Sequence, residues 1–323
     1  MVSPVAICTV VIPATDRPTT LGRCLEAIAA SHEPPDEVIV IDGPTGLSAA
    51  GARNEGLRRA TGDIVVFVDA DVVVAPEALG RVRARFEADG GLAALFGSYD
   101  DAPAVRTTVS AFRNLLHHHV HQSCAGPAET FWTGLGAVRR PVLVAVGGFD
   151  EERYPPPPLE DIDLGARLVA AGHRIELDPT IQGTHLKRWT LRSMVWTDLA
   201  RRGIPWVALQ LRSGSMSGTL NCGWRHRVSA ATSAGGVGAT LLGQVPVTLA
   251  AVLLLVALNG GFYRLLLRRL GPLGTVAGVG LHALHHLVAV ASVPAGILRW
   301  AAEARRAGGL APSLAALEGP GSS

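Results

Sequence analysis

Three apolar runs of strand length, beginning near Val5, Glu37 and Ile64, recur about every 25–30 residues, and each leads into an aspartate. Val5–Ile12 and Ile64–Val68 show no polar alternation, as expected of strands covered on both faces in a parallel sheet. Helix signals lie between the runs. Thr15-Asp16-Arg17-Pro18 offers a cap and a Pro at a first helical position, opening a helix to about residue 31. Leu47–Ala60 reads as a second helix, and Pro76 opens a third to about Asp89. This order predicts an α/β fold, a doubly wound Rossmann-like sheet. Ligands of such sheets bind at the carboxyl ends of the strands. Asp16, Asp42 and the pair Asp69/Asp71 all fall at that edge.

Beyond residue 90 the pattern loosens. Strands are expected at Leu92–Gly97, Thr130–Val138 and Arg174–Leu177, with helices at Val105–Gln122 and Leu159–Ala171. Pro155–Pro158 reads as a stiff loop.

Charge and hydropathy divide the chain. Residues 1–185 hold 15 Lys and Arg against 24 Asp and Glu, whereas residues 186–306 hold 14 against two. From Lys187 to Arg212, Trp, Leu and Arg at helical spacing predict amphipathic helices at a membrane interface, extending to about residue 227. Residues 228–258 and 270–298 carry no charge and are long enough to span a bilayer. The basic stretch 259–270 is expected as a loop between them. A re-entrant hairpin broken near Gly243–Pro246 would keep that loop on the cytoplasmic side, as the positive-inside tendency asks. The division expected is therefore 1–186 as a cytosolic catalytic domain, 187–227 as interface, 228–300 as transmembrane or re-entrant helices and 301–323 as a tail, mobile from Gly308. The localisation expected is the cytoplasmic (inner) membrane with the catalytic domain on the cytoplasmic side. The basic region shows no groove-binding motif, which argues against nucleic acid. Cys8, Cys24, Cys124 and Cys222 lack paired spacing and read as reduced. The N-terminal run is too short and lacks the basic start of a signal peptide.

Asp69-Ala70-Asp71 places two carboxylates at i and i+2 past a strand end, where both reach one hard cation, Mg²⁺ or Mn²⁺, that bridges diphosphate oxygens. Glu160-Asp161-Ile162-Asp163 forms a second acidic group. On a helix Glu160, Asp163 and Arg167 share a face, predicting an ion-paired ladder that orients Asp161 as a general base. His117 and His121 share a helical face but lack further ligands for zinc, and read as polar helix residues near the acceptor. His282, His285 and His286 stand in an apolar segment, where they either meet lipid phosphate or bond between helices.

The segments VVIPATDRPTTLGRCLEAI, VIDGP…GARNEG, GDIVVFVDAD, FWTGLGAVRR…VGGFDE and EDIDLGARL stand in the order seen in family 2 glycosyltransferases. The chain resembles a GT-A-fold member with a C-terminal membrane region, over roughly residues 5–190. The resemblance implies an inverting hexosyltransferase moving one sugar from a nucleotide-sugar donor, UDP- or GDP-linked, to a lipid-linked or membrane-proximal acceptor. It places Pro13 and Asp16 by the nucleotide, although the family's commoner Pro-x-Tyr-Asn form is absent. It sets Asp42 on the base, and Arg53 and Asn54 along the donor. Asp69 and Asp71 hold the diphosphate and metal. Trp132, Thr133 and Gly134 wall the acceptor, and Asp161, beside Glu160, is the base. His185-Leu186-Lys187-Arg188-Trp189 is similar in spacing to the Gln-x-x-Arg-Trp motif of processive synthases, with His for Gln. Arg188 then faces the diphosphate, Trp189 stacks on the acceptor, and His185 joins the metal set. The departure argues against a processive polysaccharide synthase. A sugar nucleotidyltransferase would carry a Gly-rich basic loop near the first strand, and a non-catalytic scaffold would tolerate loss of the acidic pair.

Overall fold

The computed structural model describes residues 6–44, 46–151, 159–213 and 223–306. Val5, Pro155–Pro158, Cys222 and the tail from Gly308 lie outside the described residues. The three apolar runs pair in parallel as β1 (Cys8–Pro13), β2 (Glu37–Ile41) and β3 (Ile64–Val68), in the order β2-β1-β3. All five residues of β3 are fully buried because both sheet faces are covered. Ile64, Val66 and Val68 pack with Cys24 and Ile28 of α1 (Leu21–Ala29) and Leu79 and Phe86 of α3 (Ala78–Ala88). Val65 and Phe67 point the other way, toward Ala50 and Leu57 of α2 (Ala49–Arg59) and Leu164 and Leu168 of α6 (Glu160–Ala170).

The sheet has helices on both faces, as expected, and is mixed, with parallel and antiparallel pairs. Five further strands are β4 (Val72–Val74), β5 (Leu92–Tyr99), β6 (Gly126–Ala128), β7 (Leu135–Arg139) and β8 (Arg174–His185). The order is β2-β1-β3-β7-β5-β8-β4, with β6 beside β8. After β5, α4 (Thr108–Ser123) delivers the chain to β6, already antiparallel to β8, and β7 continues in that sense between β3 and β5. The short α5 (Arg140–Ala145) follows. β8 is three times the expected length: it pairs with β5, β6 and β4 in turn, across register shifts in its β5 pairing.

Among the described residues, those up to 190 together with 259–281 make one compact unit, and 191–213, 223–258 and 282–306 make the other. In the first, Phe262 of α11 (Gly260–Arg306) packs on Phe112 and His119 of α4, and Arg269 pairs with Asp101. The stretch 259–270, expected as a loop, is therefore helical from Gly260 on. Phe262, Leu265 and Leu266 repeat at i, i+3 and i+4, and all three are buried. Gly271 (φ 71°, ψ −176°) interrupts α11.

The second unit holds α7 (Leu191–Trp196), a π-helical segment Thr197–Gly203, α8 (Ile204–Ser213), α9 (Trp224–Leu241) and α10 (Val245–Leu258). The run 228–258 is broken at Gly243 (φ 68°), and α10 returns along α9 with Ala251 beside Gly236. Val247, Leu249, Leu253 and Leu254 of α10 are exposed. Among the described residues, α11 is the one helix long and apolar enough to cross a membrane.

Candidate functional site

Asp69-Ala70-Asp71 is the tight turn from β3 into β4, closed by Val72 N–H donating to the Asp69 carbonyl at 2.9 Å. Both neighbouring strands hold it. Asp69 N–H donates to the Gly134 carbonyl at 3.2 Å, and Leu186 N–H to the Asp71 carbonyl at 2.8 Å. Cys24 of α1 lies beneath, its Sγ 3.7 Å from the Asp69 carbonyl. Burial, with the charges of Asp69 and Asp71, pushes its thiol up to about 12, so it stays neutral.

Arg53 joins the two acidic motifs. It is buried on α2, donating through Nη2 to Asp69 Oδ1 at 2.9 Å and through Nη1 to Glu160 Oε1 at 2.6 Å. Its guanidinium also lies 5.7 Å from the Phe149 ring. Burial works against this charge, but Asp69, Glu160 and Asp161 outweigh it and raise the Arg53 pKa. Of the ladder expected from Glu160 through Asp163 to Arg167, the Asp163–Arg167 pair forms and Glu160 pairs with Arg53 instead. Arg167 pairs with Asp163 at 2.7 Å and donates to the Val146 and Gly148 carbonyls, while Glu160, a full turn away, is drawn to Arg53. Asp161 stands half-buried in the first turn of α6, where the helix N-terminus favours its charge.

The Trp132-Thr133-Gly134 segment adjoins this cluster. A Cβ on Gly165 would lie 2.4 Å from Phe131 N, so α6 approaches the 130–131 backbone as only glycine permits. That approach sets Glu160 and Asp161 against the segment leading to Trp132. Thr133 is buried, and the Trp132 ring covers Gly134 with no room for a side chain there.

On the far side of the turn His185, the last residue of β8, pairs in register with Val72 and brings Nε2 to 3.4 Å from Asp71 Oδ2. Burial acts to raise the Asp71 carboxyl, but the hydrogen bond and charge of His185, with Lys187 beyond, hold it below its ordinary value. The His185 ring stacks on Tyr99 at 4.3 Å, and Tyr99 meets the edge of Trp132 at 4.9 Å. His117 lies 4.6 Å from Trp132, and His121 Nδ1 donates to the Gly97 carbonyl at 2.8 Å. The histidines of α4 are thus ring neighbours of the expected acceptor wall.

Pro13, Asp16 and Asp42 lie at the neighbouring strand ends. Pro13 pairs in register with Ile41, and Asp16 and Asp42 are exposed beyond them. Three expected site residues stand apart from the cluster. Asn54 is committed to the Phe149 backbone, at 2.8 and 2.9 Å, and to Glu151 at 2.7 Å. Trp189 is buried, its backbone bonded to Ser110 and its ring flanked by Lys187 and Arg113. Arg188 is exposed. Tyr99 and Asp100 are the residues sequence reading missed. They end the apolar run Leu92–Phe96, and the strand-end rule that selected Asp42 and Asp69 selects them too.

A divalent cation suits this donor set. Among the described residues no three His, Cys, Asp or Glu side chains form a closed metal site. Mg²⁺ and Mn²⁺ do not need one, since Mg²⁺ typically takes one or two carboxylates plus substrate phosphates. Asp71 with its His185 neighbour offers such an open pair.

Residues 43–144 match the family model described as Glycosyl transferase family 2. No curated protein matches the sequence. Among solved structures, the mannosyltransferase PcManGT from Pyrobaculum calidifontis, in complex with GDP-Man and Mn²⁺, aligns at TM-score 0.51 and 16% identity, over 93% of this chain and 88% of that one. At that identity the likeness is one of fold. GalNAc-T7 with UDP, GalNAc and Mn²⁺ aligns at TM-score 0.43 and 12% identity, over 66% of this chain and 52% of that one. A mycobacterial protein aligns at 0.44 and 18%, over 65% and 75%.

Proposed function

We propose that this chain, whose residues 43–144 match the Glycosyl transferase family 2 model, transfers one sugar, with inversion, from a UDP- or GDP-linked donor to a lipid-linked or membrane-proximal acceptor. The observation that carries this reading is Arg53, which ties Asp69 and Glu160, 91 residues apart, into one cluster.

Asp161 takes the proton of the acceptor hydroxyl. The freed oxygen attacks the anomeric carbon opposite the nucleotide, and the bond to the diphosphate breaks with its electron pair leaving on the diphosphate. One displacement inverts the anomeric configuration. Arg53 holds Glu160 and Asp69 so that the base and the diphosphate-facing turn keep one geometry. Asp71 and Asp69, with His185, are the residues that would hold a divalent cation, which when bound would supply positive charge to the departing diphosphate. The GDP-Man and Mn²⁺ of the Pyrobaculum enzyme support a donor and metal of this class. In this reading Pro13, Asp16 and Asp42 receive the nucleoside, and Trp132, Thr133 and Gly134 receive the acceptor. The apolar α11 and the exposed face of α10 support a membrane location, with the catalytic domain on the cytoplasmic side.

The test is transfer by the detergent-solubilised chain with a panel of UDP- and GDP-sugars and Mg²⁺ or Mn²⁺, the product anomer read by NMR. Transfer with inversion supports the reading; transfer with retention, or no turnover of any donor, sinks it.

A further inference from the structure

The hairpin of α9 and α10 carries no Asp, Glu, Lys or Arg from Val228 to Leu258. Val252, Leu253 and Leu254 are exposed at three successive positions of α10. Successive helical residues turn by about 100°, so this apolar surface wraps the helix instead of forming one stripe. Within α10 only Leu255 is buried. The tip continues the surface: Leu241, Leu242, Val245 and Val247 are exposed, and Gln244 is the one polar side chain from 241 to 247. A protein partner covers one face of a helix, whereas hydrocarbon covers every face.

Length decides how the hairpin meets a bilayer. α10 has 14 residues, about 21 Å long, against a hydrocarbon core about 30 Å thick. The uncharged part of α9, from Val228 to Leu241, is no longer. α10 returns along α9 from Gly243, so a hairpin held by its open end at one membrane surface stops inside the hydrocarbon, short of the far headgroups.

The turn suits that depth. The N–H groups of Leu242, Gly243 and Gln244 donate to the carbonyls of Gly238, Thr240 and Ala239 at 3.1, 3.1 and 2.9 Å. Val245 N–H donates to the Gly243 carbonyl at 3.0 Å, and Pro246 has no N–H. The Thr240 and Thr248 hydroxyls meet at 3.1 Å across the turn. A helix break away from water persists only where such groups are satisfied within the protein. The open end has the opposite character. Trp224, Arg225 and Arg227 are exposed in the first turn of α9, with the Arg225 guanidinium 5.6 Å from the Trp224 ring. Arg264 and Arg268, also exposed, follow α10 in the chain. Trp and Arg at the edge of an uncharged run belong at headgroup level, and the arginines attract anionic lipid.

We propose that α9 and α10 form a re-entrant hairpin that enters the lipid chains from one membrane surface, with Trp224 and Arg225 at the headgroups, and does not cross the bilayer. The proposal rests on the membrane location proposed above and not on the donor site.

The test puts a nitroxide on Gln244→Cys and, separately, on Arg225→Cys, in the full chain with Cys124 and Cys222 replaced by Ser. Cys8 and Cys24 are buried, with thiols pushed up to about 12, and take no label. The chain is reconstituted into phosphatidylcholine–phosphatidylglycerol vesicles. Power saturation then compares collisions with oxygen, which concentrates among lipid chains, and with a water-soluble nickel chelate present on both sides. At position 244 oxygen collisions dominate and chelate collisions are lost; at 225 the order reverses. Val247→Cys, at a second exposed tip position, gives the same result as 244 should the first label disturb the turn. Chelate access at both tip positions equal to that at 225 overturns the proposal, since the tip then stands in water on one side or the other. Dipolar broadening at 244 that disappears on dilution with unlabelled chain places a second copy on this surface and overturns the lipid occupant. Vesicle flotation is read on the same samples. A chain that floats with a water-exposed tip sinks the hairpin alone, and a chain that does not float sinks the membrane reading with it.

Discussion

Replacing Arg53 with Met removes the cation that two carboxylates share while keeping much of the side-chain volume. Glu160 is then buried without its partner, since it is only 4% exposed, while Asp69 retains some access to water through its side chain, 34% exposed. Breaking a buried pair by deleting one member costs about 3–5 kcal/mol, because the remaining charge is left uncompensated. With a urea m-value of about 2–3 kcal/mol/M, the unfolding midpoint falls by about 1–2.5 M. Pulse proteolysis across a urea series, in a fixed detergent, reads that shift. The origin of the loss is tested by Arg53→Met/Glu160→Gln. Neutralising the stranded carboxylate should recover more than half of the lost stability, while donor turnover stays low because the geometry linking Asp69 to Glu160 is gone. A shift below 0.3 M (about 1 kcal/mol), or a double variant no more stable than the single one, refutes the reasoning.

Four further outcomes follow from the same geometry. Gly165→Ala places a methyl 2.4 Å from Phe131 N and should cost about 1–3 kcal/mol, lowering transfer by displacing Asp161; thermal denaturation and initial rates check both. Asp161→Asn should cut kcat about 10²–10⁴-fold with donor KM nearly unchanged, in steady-state transfer assays. Trp132→Ala should raise acceptor KM more than donor KM, measured by varying each substrate in turn. The folded Asp71 pKa lies below its unfolded value, so its contribution to stability is complete above the unfolded pKa and is lost as pH falls through the folded one. In EDTA, Asp71→Asn and the parent should share one stability–pH slope above about pH 4, and only the parent should show the Asp71 component below it.

The parts of the fold legible in the sequence are those set by local pattern. A parallel strand buried on both faces needs an unbroken apolar run, which is why β3 falls where its run does; β2, the part-buried edge strand, is carried by Val38, Ile39, Val40 and Ile41. β8 was read four residues long because Asp178, Pro179 and Gln182 interrupt its apolar pattern, and only its pairing with three other strands makes it extended. β6, Gly-Pro-Ala, has no local strand signal, and β4, three valines, is strand-like but too short to stand apart from β3 by local pattern alone. The site divides the same way. Asp69, Asp71 and Asp42 were visible as strand-end acids. That Arg53 holds Glu160 rather than leaving it to Arg167 depends on contact across 107 residues, and the stacking of Tyr99 on His185 on contact across 86, which no local periodicity encodes.

The account turns on a division of labour between the Asp69-Ala70-Asp71 turn and Asp161. The most direct measurement is calorimetric binding of the nucleoside diphosphate, with and without Mn²⁺, to the parent, Asp71→Asn and Asp161→Asn, alongside transfer rates. Asp161→Asn should bind as the parent does but transfer about 10²–10⁴-fold more slowly, and Asp71→Asn should lose the Mn²⁺-dependent part of binding. Metal-dependent binding that survives Asp71→Asn, or transfer by Asp161→Asn at a rate near the parent's, contradicts this division.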